Sequence, residues 1–515
     1  MSRALLRSTA TVGQMTLLSR VLGFVRDVVI ARAFGASVAA DAFFVAFKIP
    51  NLFRRLFAEG AFSQAFVPVL AEYREREGEA AVGGLVGAVA GALGVVLLVF
   101  TVLGVVAAPA LILLFAPGFV DQGDKLELAT SLLRVTFPYL GLISLAALAG
   151  AVLNTFGRFA VPAFTPVLLN VALIGCAIGL APQLDEPVMA LAIGVVIGGV
   201  AQLGLQLVAV VRLGLPIRLQ VAFRHPGVRR ILVLMGPAIF GVSVAQINLM
   251  LDTVIASFLQ TGSISWLYYS DRLVEFPLGV FGIALATVIL PSLSSSHSAG
   301  SRADFSATLD WALRWVFLVG TPAALGLAVL AGPMLSTLFQ YGALDLHDVA
   351  MSARSLVAYA GGLLGFILVK VLAPGYFARQ DTRTPVRIGM IAMGANMVMN
   401  LALVFPLAHA GLALATTLSA YLNALLLWRG LRKQGVYLRG PGWPLFALRV
   451  TLASAAMCLA LGWWLEPLAL WATWPAATRA AQLAIGIALG GAVYAVVLLG
   501  SGLRPRDMVM RESGV

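Results

Sequence analysis

Charged side chains inside otherwise apolar segments are the residues of this chain whose types and spacing could do chemistry. The first such segment, at about 12–34, carries Arg20, Arg26 and Asp27. A charge at the centre of a bilayer costs roughly 2.5–3.5 kcal/mol on insertion scales, so these residues are expected to face a partner or water. Arg20 and Asp27 share one helix face, whereas Arg26 points about 100° away from Asp27.

Two further segments, at about 38–70 and 265–293, carry a larger set of charges. Arg272 and Glu275 are spaced to share one helix surface, and we predict that they pair. One interpretation of these charges is that helix-end residues extend to the membrane interface. The other is a shared polar cavity, and its excess of arginine favours an anionic ligand because guanidinium groups suit phosphate oxygens. The charged residues singled out here are Asp41, Lys48, Arg54, Arg55, Arg272 and Glu275.

The composition excludes a soluble enzyme. Of 515 residues, 60% are hydrophobic and only 11% are charged, whereas soluble domains carry about 25% charged residues. The net charge of +12 therefore does not indicate nucleic-acid binding. The class of protein that fits this composition is a polytopic membrane protein. The sequence contains no G-x-x-x-x-G-K-[ST] phosphate-binding motif, so nothing in it indicates an ATP motor. Cys176, Cys458 and the four scattered histidines suggest neither a disulfide framework nor a zinc site.

The apolar segments predict an all-α membrane protein of about fourteen transmembrane helices, since a spanning helix needs about 20 mostly apolar residues. One set of alternate loops holds nearly all loop arginines and lysines, while the other set holds only Lys125. By the positive-inside rule, both termini are predicted to be cytoplasmic. The segments lie at about 12–34, 38–70, 81–108, 128–155, 160–181, 187–211, 230–259, 265–293, 311–338, 351–377, 386–406, 409–429, 445–465 and 480–502.

The chain also resembles itself at a nearly constant shift of a little over two hundred residues. Asp27–Ala31 matches Asp252–Ala256, and Phe156-Gly-Arg158 matches Phe377-Ala-Arg379. A repeat of six helices keeps one orientation, so it predicts two parallel lobes with a substrate site where they meet. We predict an N-lobe at 1–222, a C-lobe at 223–438, and two further helices with a cytoplasmic tail at 439–515.

Five motifs resemble the MurJ/MviN family of bacterial lipid II flippases, within the multidrug/oligosaccharidyl-lipid/polysaccharide exporter superfamily. The resemblance runs from about residue 8 to about 440. The motifs are Ser19-Arg-Val-Leu-Gly-Phe-Val-Arg-Asp27, Asp41-Ala-Phe-Phe-Val-Ala-Phe-Lys-Ile-Pro-Asn51, the segment from Arg54 to Pro68, Tyr268-Tyr-Ser-Asp-Arg-Leu-Val-Glu-Phe-Pro277, and the segment from Lys370 to Asp381 with Thr384-Pro385.

This resemblance implies two six-helix lobes plus two extra helices. It implies a transporter, not an enzyme, that moves the undecaprenyl-pyrophosphate-linked peptidoglycan precursor, lipid II, across the bacterial inner membrane by alternating access around a cationic cavity. The prenyl tail is expected to stay in lipid, along a groove involving the last two helices. Matched motif by motif, the family's essential cavity residues correspond to Arg20, Arg26, Asp41, Arg54, Arg272 and Glu275.

The resemblance also implies a sodium site in the second lobe of some family members. The matching positions are Asp252, Asn396, Asn400 and Thr416, with Asn400 standing where a second carboxylate occurs in the family. Two interpretations stay open: a weak Na⁺ site, or asparagines that only hydrogen-bond between helices. Coupling to Na⁺ or H⁺ is accordingly one hypothesis, and the membrane potential acting on the substrate alone is the other.

Three alternative functions are weighed against a lipid II flippase. A flippase for another polyprenyl-linked glycan differs only through the family motifs. A cation-coupled multidrug exporter of the same fold would need an acidic or aromatic cavity, and a non-transporting scaffold would not need arginines inside the membrane. We expect a monomer in membrane lipid, with no cofactor and no nucleic acid, and with cell-wall synthesis proteins as candidate partners.

Overall fold

The computed structural model describes residues 3–56 and 62–504, and the side chains of 3–10, 237–245, 247 and 283 are outside the described set. The described residues form α-helices joined by short turns and contain no β-strand, which confirms the all-α prediction. The chain divides into two compact units, Met1–Ser265 and Trp266–Val515.

The first unit contains ten helices among its described residues. Long apolar segments form α4, α8 and α9, and α8 packs against both α1 and α9. The helix α2 packs on α6, and α10 packs on α3 and α4. The helices are α1 Arg3–Phe34, α2 Val38–Arg54, α3 Ser63–Arg76, α4 Glu79–Val106, α5 Ala108–Phe115, α6 Lys125–Thr136, α7 Tyr139–Thr155, α8 Ala160–Gly179, α9 Met189–Val211 and α10 Pro226–Ser257.

The second unit continues from a helix that begins just before the boundary. Here α15 packs on α13 and α17, and α18 packs on α20 and α13. A π-helical segment, Leu278–Gly282, separates α11 from α12. The helices are α11 Ser263–Pro277, α12 Ile283–Ser298, α13 Arg302–Val329, α14 Ala331–Phe339, α15 Leu346–Leu372, α16 Pro374–Phe377, α17 Arg383–Lys433, α18 Trp443–Trp464, α19 Leu468–Thr473 and α20 Ala476–Gly500.

Within the described residues, 10 helical stretches are long and apolar enough to cross a membrane. The chain is therefore a multi-pass membrane protein, while the exact count of fourteen stays a prediction. The helices α1, α2 and α10 are not among these stretches, and α2 is only 17 residues long. The stretches are Glu79–Val106, Lys125–Thr155, Ala160–Gln183, Met189–Val211, Ser263–Ser298, Arg302–Val329, Leu346–Phe377, Arg383–Lys433, Trp443–Trp464 and Ala476–Gly500.

The helix α17 is two helices in one. Its 51 residues would extend roughly 76 Å at 1.5 Å per residue, far beyond a hydrocarbon core of about 30 Å. Ala408 interrupts it with a non-helical backbone, φ 48° and ψ −131°, two residues after Pro406. This break lies between the predicted segments 386–406 and 409–429, so the sequence correctly separates them.

A cluster around Asp310 ties the segment before α18 to α13. Its carboxylate accepts hydrogen bonds from Tyr437 Oη at 2.8 Å, the Gly440 backbone nitrogen at 3.1 Å and Trp443 Nε1 at 2.7 Å. Arg314 Nε donates to the other carboxylate oxygen at 3.0 Å. Burial and the hydrogen bond to Asp310 raise the pKa of Tyr437 above its usual range. The cluster anchors the start of α18.

Candidate substrate site and ion site

Arg26 is held on the inner face of α1 by two partners. Its Nε and one terminal nitrogen donate to Asp27 Oδ1 at 3.0 and 2.7 Å, and the other terminal nitrogen donates to Asn170 Oδ1 of α8 at 3.0 Å. Asn170 Nδ2 in turn donates to the Ser19 carbonyl at 3.1 Å. With 12% of the side chain exposed, the guanidinium is oriented before any ligand arrives. Sequence reasoning missed Asn170, although a lone amide in an apolar segment was an available signal.

The other basic residues of α1 and α2 differ in their surroundings. Arg20 is exposed on α1, and Arg54 is half-buried near the end of α2. Arg54 Nε donates to Asn51 Oδ1 at 3.1 Å, and Asn51 Nδ2 donates to the Phe47 carbonyl at 2.9 Å. The Arg54 guanidinium is therefore oriented from within its own helix.

Lys48 joins α2 to α10. Its Nζ donates to Thr253 Oγ1 at 2.7 Å, and Thr253 Oγ1 donates to the Leu249 carbonyl at 3.0 Å. Thr253 directly follows Asp252, within one of the segments that appear twice in the sequence. The contact links an internal lysine of α2 to the segment of α10 that contains Asp252.

Asp41 is fully buried, and its carboxylate binds four partners. One oxygen accepts from Lys125 Nζ at 3.0 Å and the Gly262 backbone nitrogen at 2.8 Å. The other accepts from the Ser265 backbone nitrogen at 2.9 Å and Ser265 Oγ at 2.7 Å. The carboxylate thus caps the beginning of α11, where backbone N–H groups lack intrahelical acceptors. We call Asp41, Lys125, Gly262 and Ser265 the Asp41 cluster.

Lys125 is the buried cation of this cluster, with 2% of its side chain exposed. Its Nζ also donates to Gln122 Oε1 at 2.9 Å and lies 4.5 Å from the centroid of the Phe119 ring. Gln122 Nε2 reaches the carbonyl of Ser257 at 3.0 Å. The sequence marked Lys125 as the lone basic residue of its set of loops, but its pairing with Asp41 could not be deduced from spacing.

In the second unit, Arg272 and Glu275 form the pair that their spacing predicts. Arg272 Nη1 donates to Glu275 Oε2 at 2.7 Å. Arg272 also donates to Tyr268 Oη at 3.1 Å and stands over the Tyr268 ring, 4.8 Å from its centroid. The side chains of Arg272 and Glu275 are 33% and 51% exposed, so this guanidinium is positioned and accessible at once.

Three of the four residues assigned to the ion site form a chain of hydrogen bonds in the second unit. Asn400 Nδ2 donates to Asn396 Oδ1 at 3.1 Å, and Asn396 Nδ2 lies 3.5 Å from Thr416 Oγ1. Asn396 and Asn400 are buried. Their neutral oxygens are of the kind that hard cations accept. Asp252 is half-buried on α10 in the first unit.

No cluster of three or more His, Cys, Asp or Glu residues that could hold a metal ion occurs in the described part of the chain. The residues predicted for an ion site therefore offer one carboxylate in the first unit and neutral amide and hydroxyl oxygens in the second unit.

Comparisons with known proteins agree on one family. A family model described as the lipid II flippase MurJ matches residues 30–482. A Vibrio cholerae protein named a probable lipid II flippase MurJ is 51% identical over 516 residues, which cover 98% of each chain. A Burkholderia cenocepacia protein named lipid II flippase MurJ is 48% identical over 463 residues, covering 88% of this chain and 89% of that one.

Solved structures show the same fold. A structure titled lipid II flippase MurJ, inward closed conformation, aligns with a TM-score of 0.78 and 24% identity, covering 94% of this chain and 97% of that chain. An inward-facing multidrug resistance transporter of the MATE family aligns with a TM-score of 0.68 and 13% identity, covering 84% of this chain and 99% of that one.

Proposed function

The chain belongs to the lipid II flippase MurJ family, and on that premise we propose that it moves lipid II from the cytoplasmic to the periplasmic leaflet by alternating access. The substrate is a polyprenyl pyrophosphate that carries the disaccharide-peptide unit of peptidoglycan. The protein works as a transporter in the inner membrane, with both termini cytoplasmic, and it supplies cell-wall synthesis. No covalent chemistry is needed.

The pyrophosphate is bound by arginines that stand in apolar helices. The observation that carries this proposal is the way Arg26 and Arg272 are held: each has a carboxylate partner and a second polar partner that fixes the guanidinium plane. A fixed fork loses little conformational entropy when it binds phosphate oxygens. Arg54 and the exposed Arg20 add positive charge from the first unit.

Asp41 acts through closure of the transporter and not through contact with substrate. Its carboxylate is fully buried and has four acceptor contacts with Lys125, Gly262 and Ser265. We assign the Asp41 cluster to the periplasmic side, because Lys125 lies in the loop set that is poor in basic residues. The cluster closes that side while the substrate enters from the cytoplasm, and it separates when the transporter opens outward.

The membrane potential favours export of a substrate with two negative charges. A potential that is negative inside contributes about 2.3 kcal/mol per charge per 100 mV, so a pyrophosphate diester gains roughly 4–5 kcal/mol. Ion coupling is the second part of the proposal. Asp252 offers a carboxylate that binds Na⁺ or H⁺, and in the second unit Asn396, Asn400 and Thr416 offer neutral oxygens of the kind that Na⁺ accepts.

Transport by purified protein in vesicles tests the proposal. Lipid II and a polyprenyl pyrophosphate carrying an unrelated glycan are offered separately, and appearance of each in the opposite leaflet is measured. We expect lipid II to be flipped much faster than the other glycan. Equal rates would show a general polyprenyl-glycan flippase, and export of cationic drugs without lipid II movement would show a multidrug exporter.

A set of single substitutions tests the site. Arg26→Ala, Arg54→Ala and Arg272→Ala should reduce flipping to background, and lipid II should accumulate in cells depleted of the parent protein. Arg302→Ala is the matched control, because Arg302 is exposed at the start of α13. Normal transport by any one of the three variants removes that arginine from the site.

A further inference from the structure

An apolar cavity of about 130 Å³ lies in the first unit, and the described residues that line it include none of the arginines discussed above. Among the described residues, every side chain that lines it is apolar. The walls come mainly from α4 and α10. Single residues are added by α7, by the residue directly before α3 and by the segment before α10. The lining residues are Phe62, Val89, Ala92, Leu93, Val96, Leu97, Phe100, Leu140, Phe223, Val228, Ile231, Leu232 and Met235.

The cavity opens on a surface suited to lipid. Its inner wall includes the buried residues Val89 and Ile231, whereas Val96, Phe100 and Leu232 at its rim are exposed. The helix α4 carries no charged residue after Glu79, and its outer face beyond the rim is apolar and exposed. A cavity without polar partners does not hold ordered water stably, so an apolar chain is its natural occupant.

The depth of the cavity corresponds to one leaflet. From Val89 to Phe100 the wall covers roughly 17 Å of helix axis at 1.5 Å per residue, and half of a hydrocarbon core is about 15 Å. At the end of the cavity near Val89, Gly227 of α10 lies against α4, because a Cβ at Gly227 would overlap Leu85. The start of α10 therefore lies level with the beginning of the lining part of α4.

Basic residues stand at this same end. Arg224 and Arg229 are exposed and directly follow the lining residues Phe223 and Val228 in sequence. Arg230 forms an ion pair with Glu72 at 2.7 Å, so Arg224 and Arg229 are the arginines next to lining residues that we assign to a headgroup. The segment 212–230 is rich in arginine, so the positive-inside rule assigns it to the cytoplasmic interface.

We propose that this cavity binds one acyl chain of an anionic glycerophospholipid from the cytoplasmic leaflet, with its phosphate at Arg224 and Arg229. Basic pockets beside transmembrane helices on the cytoplasmic side are suited to anionic headgroups. The occupant is a bilayer phospholipid and not the prenyl tail of the substrate. The cavity opens beside α4 and α10, whereas the proposed pyrophosphate site uses α1, α2 and α11.

Photochemical labelling in vesicles tests the proposal. The probe is a phosphatidylglycerol with a diazirine in one acyl chain, and attachment sites are mapped by mass spectrometry of peptides. We expect attachment to concentrate within 89–100 and 228–235. Unlabelled phosphatidylglycerol should compete better than phosphatidylcholine with the same chains, by about fivefold for each arginine engaged.

Matched substitutions separate the chain site from the headgroup site. Ala92→Phe fills the cavity, and Val96→Phe at the exposed rim is a second variant that does not disturb the buried wall. Both should reduce attachment at least fivefold, whereas Leu98→Phe on the exposed side of α4 should not. Arg224→Gln with Arg229→Gln should abolish the preference for phosphatidylglycerol, and Arg302→Gln should preserve it.

Three outcomes would overturn the proposal. Even attachment along all lipid-facing helices would show that there is no site. Equal competition by phosphatidylcholine would remove the role of the two arginines. Undecaprenyl phosphate displacing the probe better than phosphatidylglycerol does would assign the cavity to a prenyl chain. None of these results bears on lipid II flipping, which is measured separately.

Discussion

At the scale of single residues, Asp41 is a fully buried charge whose carboxylate accepts four hydrogen bonds. It accepts from a buried lysine, two backbone nitrogens and a hydroxyl. Removing one member of a buried ion pair costs roughly 3–5 kcal/mol, because the other charge remains buried without its partner. The Asp41 cluster is therefore stable when closed and sensitive to loss of a single charge.

We predict that Asp41→Asn loosens this cluster, because asparagine keeps the shape and loses the charge that Lys125 needs. The reporter is Ser263→Cys in a chain lacking Cys176 and Cys458; Ser263 is buried and its hydroxyl has no hydrogen-bond partner among the described residues. Labelling by a membrane-impermeant maleimide should rise by at least about tenfold, equivalent to roughly 1.4 kcal/mol.

The double variant Asp41→Asn with Lys125→Met tests whether the effect comes from leaving Lys125 charged without its partner. It removes both charges, so it should be less destabilised than the two single changes added together. Unchanged labelling in Asp41→Asn, together with normal transport, would contradict the role of the cluster in closure.

A second prediction concerns Glu275. The Arg272–Glu275 pair is partly exposed, and exposed pairs contribute about 0–1 kcal/mol to stability. Glu275→Gln should thus leave abundance and thermal unfolding nearly unchanged while it reduces complementation of a flippase-depleted strain, because the guanidinium loses its orientation. Tyr268→Phe keeps the ring under Arg272 and should have a smaller effect. Glu275→Gln that supports normal growth at normal abundance would refute the positioning role.

The sequence predicted the types of the site residues better than their partners. The spacing of Arg272 and Glu275 lies within one helical turn, so their pairing followed from helix geometry. Asp41 and Lys125 are 84 positions apart, and Asp41 and Ser265 are 224 apart. No helical period relates such positions, so only the fold could reveal those contacts.

At the scale of elements, the length of the apolar segments predicted most helices. It could not predict one close backbone contact, which depends on small residues. That contact is made by the segment between α9 and α10. In the structure its backbone follows α4: Gln220 N donates to the Gly87 carbonyl at 3.2 Å. A Cβ at Gly87 would overlap the Arg218 carbonyl, and one at Gly91 would overlap the Gln220 carbonyl. These glycines of α4 give the linker its place.

We predict that Gly87→Ala destabilises the protein by about 1–3 kcal/mol, the usual cost of an overpacked contact. Gly84→Ala is the matched control on the same helix, since a Cβ there meets no atom within 4 Å. Alanine is favoured over glycine in a helix by about 0.8–1.0 kcal/mol, so Gly84→Ala should raise the melting temperature or leave it unchanged. A Gly87→Ala variant as stable as Gly84→Ala would show that the linker does not need this close contact.

At the scale of the whole molecule, composition alone established a polytopic membrane protein, because 60% hydrophobic residues cannot be covered by so little charge. The charge pattern of the loops predicted orientation, and the fold follows the transporter family. Charged helices such as α1 were harder to recognise as spans, since hydropathy penalises the very arginines that a transport site requires. The departures from simple hydropathy are thus concentrated at the proposed site.

The source of energy is a property of the whole molecule, and it can be resolved by one reconstitution. We predict that flipping accelerates with a potential negative on the cytoplasmic side, because the substrate's two charges gain roughly 4–5 kcal/mol per 100 mV. Asp252 is a half-buried carboxylate on α10, and by the ion-coupling proposal it should add a dependence on the sodium or proton gradient at fixed potential. Asp252→Asn should remove that dependence and keep the response to potential, whereas Asp121→Asn, at an exposed position, should keep both. If the rate at clamped potential ignores both gradients, and Asp252→Asn flips as fast as the parent, the substrate's own charge drives export and Asp252 couples no ion.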